Sequence, residues 1–302
     1  MLVTHSSQSI LYLHDIHDSL PCYNRLFVDW DEIAQIPAHS LDLEIDFTYC
    51  HFLAHNGVAF LGALLRAIEA RGGQFKPKWD TIRPNIYKNL AQNGFLHDFN
   101  CDKLPWDGNS IPYRSDGYHE PSAIGDYLRY KWLGKGWVNV SEGVRDGIVG
   151  RVEEIYLNAF EHSQSAIGVF SCGQHYPKAR QLQLTVVDFG LGIPANIRSL
   201  PQNSALTSAE ALKWAFLDGN STKQDDVCRG TGLGLLQDFV IKNHGNLIIF
   251  SNDGYVEIDD NGVRYENKCT NFSGTLVNIA LCCDESYYCL ASEVSSFEKQ
   301  WF

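Results

Sequence analysis

Between Leu41 and Phe47 the chain alternates apolar and acidic residues (LDLEIDF), which predicts a strand with one buried face. A short loop, YCHFLAHNG, then leads into GVAFLGALLRAIEARGG, where Leu61, Leu64, Leu65 and Ile68 recur at helical spacing and Gly72-Gly73 supply a stop. QFKPKW is compatible with a short strand. Ile82, Ile86 and Leu90 mark a second helix, opened near Asp80 and Thr81 and closed by Gly94. The order β–α–β–α predicts one compact α/β layer. Residues 1–40 carry no comparable period; His14 and His17, one turn apart, lack a third ligand of obvious spacing and are expected to be surface histidines. Residues 100–140 are rich in proline, glycine and aromatics. That punctuation argues against long regular elements before Asp126, and the aromatics predict a connector packed against one unit or between two.

The second half is patterned more strongly. Gly143–His162 reads as a helix whose Ile148, Val149, Val152, Ile155, Tyr156, Ala159 and Phe160 fill a core-facing arc. Glu154, Asn158 and His162, four residues apart, rise along the edge of that arc. AIGVFSC and QLQLTVVDFG follow as strands, the second a continuous apolar run ending in Asp188. Thr207 and Glu210 form a capping box opening the helix AEALKWAFL. NLIIFSNDG is a strand, Asp259–Gly262 a hairpin turn, and GTLVNIALC a strand from Gly274. The remaining tail, DESYYCLASEVSSFEKQWF, has no functional pattern.

Composition narrows the class. With 302 residues, 44% of them hydrophobic and 20% charged, the chain suits about two globular domains. A formal net charge of -12 and the lack of a basic run argue against nucleic acid as a partner. Nine scattered cysteines without a C-x-x-C pair predict neither a disulfide framework nor a zinc site, and point to a reduced, cytoplasmic setting. No signal peptide and no membrane span is expected.

Three stretches carry candidate chemistry. Asp188-Phe189-Gly190-Leu191-Gly192 places a carboxylate at a strand end before two glycines, suited to a flat molecule with a donor such as the adenine amino group. Asp218–Lys223 is small and polar, with Lys223 placed to close over phosphates. Gly230-Thr231-Gly232-Leu233-Gly234 opens the helix LLQDFVIKNHG, so its backbone amides and helix dipole converge where a phosphate would bind. A dinucleotide fold would place such glycines directly after a strand, whereas polar loop precedes them here.

In this order the pieces resemble the GHKL ATPases (gyrase, MutL, Hsp-type chaperones, histidine kinases): Glu154-x-x-x-Asn158, Asp188-x-Gly190-x-Gly192, Gly230–Gly234 and Gly274-Thr275 match that family's boxes. The resemblance implies, for residues 141–302, a Bergerat-type α/β sandwich with a mixed sheet and helices on one face. Mg²⁺ would bind Asn158, adenine would bind Asp188 beside Gly190 and Gly192, and the phosphates would meet the Gly230–Gly234 amides. Thr275 would fix the adenine end, His162 would stand near phosphate, and Glu154 would be the general base. Leu41–Phe99 resembles the STAS domain, within an N-terminal unit of residues 1–99. The turn that bears the phospho-acceptor serine in that family reads Ala54-His55-Asn56-Gly57 here. The upstream histidines His51, His55, His97 and His119 lack the helical setting of a histidine-kinase acceptor. The expectation is therefore Mg-dependent ATP binding with slow hydrolysis, reported to the STAS-like unit or to a regulatory protein partner; the resemblance also admits a homodimer. Alternatives are a serine/threonine kinase acting on a separate protein, and a non-catalytic nucleotide-binding scaffold.

Overall fold

In a computed structural model, residues 1–5, 8–101, 103–217 and 234–298 are described. The chain opens with strands β1 (Leu2–His5) and β2 (Gln8–Tyr12), followed by helix α1 (Leu20–Ala34). The alternating acidic stretch forms β3 (Asp42–Asp46), and α2 (His55–Ala70), β4 (Gln74–Pro77), α3 (Pro84–Gln92) and α4 (Phe95–Asp98) follow. Strands β1 to β4 lie side by side in sequence order, β1 antiparallel to β2 and the rest parallel. Parallel neighbours need a crossover, which α1 and α2 provide. The mixed sheet of this α/β protein is this one.

Next come β5 (Ser110–Asp116), α5 (Pro121–Asp126), β6 (Asn139–Val140), α6 (Glu142–His162), β7 (Val169–Tyr176) and β8 (Gln181–Asp188). Helices α7 (Ile193–Arg198), α8 (Ser208–Ala215) and α9 (Gly234–Lys242) precede the long strands β9 (Asn246–Asp259) and β10 (Gly262–Cys282). The expected capping box is present, Thr207 and Glu210 bonding reciprocally. So is the expected hairpin turn, in which the Asp259 carboxylate accepts the Asn261 N–H at 2.8 Å. The second sheet has the order β5-β7-β8-β10-β9 and is antiparallel in every pairing, where the resemblance implied mixed pairing. Its edge strand β5 comes from the stretch expected to be a connector. The edge position and the register shift between Ile111 and Arg114 accommodate Pro112, which a central strand would reject.

The second sheet is buried on both faces. Leu184, Val186, Val277 and Ile279 face α6 and α9, packing with Ile148, Val152 and Val240. Phe170, Val187, Phe250 and Leu276 point the other way, into one core with α1 and α2. Helices therefore lie on both faces rather than one. Helix α2, sandwiched between the two sheets, is buried almost all round from His55 to Ile68, in keeping with its apolar run from Val58 to Leu65. Each large side chain so buried contributes roughly 1.5–3 kcal/mol.

One polar chain crosses this interface. His55 Nε2 lies 2.9 Å from Asn278 Oδ1 on β10, and Thr185 on β8 donates to the same oxygen at 2.7 Å. Asn278 Nδ2 donates to Asp18 at 3.0 Å, and the Tyr23 hydroxyl donates to Asp18 at 2.7 Å. A carboxylate only accepts, which fixes the Asn278 amide and makes His55 Nε2 the protonated nitrogen. His55 Nδ1 then accepts from the Tyr176 hydroxyl at 3.2 Å. Burial pushes the His55 pKa below its ordinary value, so the ring is neutral.

The tail forms β11 (Tyr287–Tyr288), parallel to β6, and α10 (Ala291–Glu298). Glu293 accepts the Ser141 hydroxyl at 2.6 Å and the Gly143 N–H at 3.2 Å, holding the tail against the start of α6. A carboxylate there also complements the helix dipole. Among the described residues no helix is long and apolar enough to cross a membrane.

Candidate functional site

Helix α6 is capped at its start by Ser141, whose hydroxyl accepts the Val144 N–H, and at its end by Ser163. That end carries the site. The Ser163 carbonyl accepts the Leu191 N–H at 2.7 Å, drawing the turn after β8 onto the end of α6. The approach is so close that a Cβ on Gly190 would stand 2.1 Å from the Ser163 oxygen. Only glycine fits there.

Asp188 closes β8 opposite Thr275 of β10 and is 2% exposed. Its Oδ1 accepts the Gly190 N–H at 2.9 Å, and the nearby Thr275 N–H and Ser163 hydroxyl also favour its ionised form. Burial nevertheless dominates and pushes its pKa up to about 7, since those donors only partly replace water. Shifted carboxyls of this kind gather at functional sites, which makes Asp188 a candidate functional group.

A third wall comes from β9 and β10. The Ser251 hydroxyl donates to the Gly274 carbonyl at 2.9 Å, lies 3.0 Å from the Thr275 hydroxyl and accepts the Ile193 N–H at 2.8 Å. Asn252 accepts the Ala195 N–H and donates to the Leu191 carbonyl. Together they secure the start of α7, immediately after Gly192. The sequence reading missed Ser163, Ser251 and Asn252. Serine and asparagine in FSNDG were a local polarity signal at a strand end, but their partners lie far away in sequence.

Along α6, the exposed Asn158 lies five residues before Ser163, about 7.5 Å along the axis, with Glu154 one turn further. Glu154 accepts Arg151 Nη1 at 2.7 Å. Gly150 on the next turn has nothing within 4 Å of a built Cβ, whereas Gly147 abuts Leu235 at the start of α9. The face of α6 that bears Glu154 thus opens beside Gly234. The His162 carbonyl accepts Asn196 Nδ2 at 2.5 Å, tying α6 to α7. The structure therefore gathers Asp188, Gly190, Gly192 and Thr275 at the end of α6, the helix that carries Asn158 and Glu154 five and nine residues before Ser163. Lys223, Gly230, Thr231, Gly232 and Leu233 lie outside the described residues.

The donor set suits a hard cation sparingly. Asn158 offers one amide oxygen, in keeping with an ion such as Mg²⁺ that retains waters and takes most of its ligands from phosphates. Among the described residues no group of three or more His, Cys, Asp and Glu is placed to hold a metal by itself.

No protein-family model matches the chain, and no curated protein matches it in sequence.

Proposed function

We propose that this chain is a Mg-dependent ATP-binding protein of the GHKL type that hydrolyses ATP slowly, joined to a STAS-like N-terminal unit. The observation that carries this reading is the convergence of the Asp188 carboxyl, the Gly190–Gly192 turn and Thr275 on the end of α6, the helix that carries Asn158 and Glu154. Asp188 accepts the adenine amino group, while Gly190 and Gly192 let its turn pack closely against Ser163 and Gly274. Asn158 presents its amide oxygen to a phosphate-bound cation. Mg²⁺, when bound, supplies the charge neutralisation that phosphoryl transfer requires. Glu154, oriented by Arg151, takes the proton from the attacking water.

The same geometry favours hydrolysis and signalling over phosphorylation of the chain's own STAS-like turn. Ala54, His55, Asn56 and Gly57 are all buried. Neither a hydroxyl nor access is present there.

Turnover of γ-labelled ATP by the full chain tests this reading. In Glu154→Ala, hydrolysis falls by about 10²-fold or more while ATP binding persists. Equal turnover in both proteins contradicts the assignment of Glu154.

A further inference from the structure

The turn after β8 and the irregular stretch of β10 before Thr275, which flank the base end of the site, each plant a phenylalanine in the N-terminal unit. Phe189, directly after Asp188, lies 4.7 Å from the Trp30 ring of α1 and 4.9 Å from Phe60 of α2. Phe272, two residues before Gly274, stacks on Phe27 of α1 at 4.7 Å and lies 5.6 Å from Phe60. The two phenylalanines meet each other edge-on at 5.3 Å. They also meet through Gly274, where a Cβ would stand 2.2 Å from the Asp188 oxygen, 2.9 Å from Phe272 and 3.1 Å from the Phe189 Cα. There is no slack between the Asp188 turn, the Gly274 turn and these rings.

We propose that Phe189 and Phe272 couple occupancy of the base end of the site to helices α1 and α2, so that the N-terminal unit reads whether a nucleotide is bound rather than how many phosphates it carries. This rests on the ATP-binding reading above and goes beyond it by naming the route and the signal. A base seated on Asp188 fixes the peptide from Asp188 to Gly190. That peptide carries the Phe189 Cα, and a ring wedged among Trp30, Phe60 and Phe272 cannot shift unless they shift too. Fixing the turn therefore restrains α1 and α2, and a loosened α1 or α2 weakens base binding by the same factor.

Hydrogen exchange of the full chain, measured alone and with saturating Mg·ADP or Mg·AMP-PNP, tests the proposal. Amides of residues 20–34 and 55–70 should slow about five-fold or more, alike with both ligands. Phe189→Leu should bind both ligands yet lose that slowing, and Trp30→Leu should weaken ADP binding about five-fold. Binding without slowed exchange in the wild-type chain overturns the coupling alone, and slowing by AMP-PNP only overturns the base-end route. Failure of the wild-type chain to bind either ligand overturns the ATP-binding reading and the coupling with it.

Discussion

His55, in the first turn of α2, bonds through Nε2 to the Asn278 amide oxygen in the last third of β10, 223 residues away along the chain. Both side chains are essentially without solvent, His55 at 2% and Asn278 at 0% exposure. A buried amide and imidazole that satisfy each other act as a register pin. Any slip of α2 along the sheet strands both in an apolar interface.

His55→Ala should cost about 3 kcal/mol of unfolding free energy, from the cavity and from the uncompensated Asn278 and Tyr176 groups, read by denaturant unfolding. The pH dependence follows from burial, which sets the His55 pKa below its ordinary 6.5. The unfolded chain therefore binds the proton first, and stability is lost as pH falls from about 6.5 toward the depressed folded value. A His55→Leu variant should show a flatter acid limb in that window. Parallel pH profiles for wild type and variant would contradict the buried neutral imidazole.

Asp188 behaves in the opposite sense. Burial raises its pKa from the ordinary 3.8 to about 7, so the folded state holds a proton that the unfolded state has released. Its contribution to stability is present below about pH 4 and is lost as pH rises through about 7. Asp188→Asn cannot ionise and should gain on the wild type across that range, by up to about 4 kcal/mol at pH 8. At pH 8, where Asp188 is ionised, the same variant should bind ATP at least tenfold more weakly, because an ionised acceptor is gone. Calorimetric melts at pH 4 and pH 8 check the first effect, and equal differences at the two pH values would contradict it.

Gly190→Ala should displace the Asp188 turn, because its Cβ would stand 2.1 Å from the Ser163 carbonyl oxygen. Neither partner is a flexible side-chain end, so the backbone must move. The expected result is a loss of about 2 kcal/mol or more in stability together with loss of nucleotide binding. A variant with wild-type melting and binding would show that the turn is looser than its contacts imply.

The strongly periodic segments were legible in the sequence. The alternation of LDLEIDF became β3, the stripe of Gly143–His162 became α6, and the apolar run QLQLTVVD became β8. That last run alternates Gln181, Gln183 and Thr185 with Leu182, Leu184 and Val186, yet both of its faces are buried, because α2 and α6 cover it. The start of the chain was opaque because β1 and β2 are short and α1 mixes Asp29, Asp31 and Glu32 with its apolar positions. Strand β5 was hidden by Pro112, tolerated only because the strand is an edge with a register shift. The pairing of β11 with β6 spans two residues in each strand, too few for any period. Of the candidate site, Asp188, Gly190, Gly192 and Thr275 were legible because backbone requirements leave glycines and strand-end carboxylates at fixed offsets. Ser163 and Ser251 were not, since their hydrogen bonds are set by tertiary packing.

Calorimetric titration of the full chain with AMP-PNP, with and without Mg²⁺, tests the proposed function most directly. Wild type should bind one equivalent, tighter with Mg²⁺ than without, and Asn158→Ala should erase that Mg²⁺ advantage while Asp188→Asn weakens binding in both conditions. Absence of binding in the wild-type chain, or an Mg²⁺ advantage that survives Asn158→Ala, would contradict it.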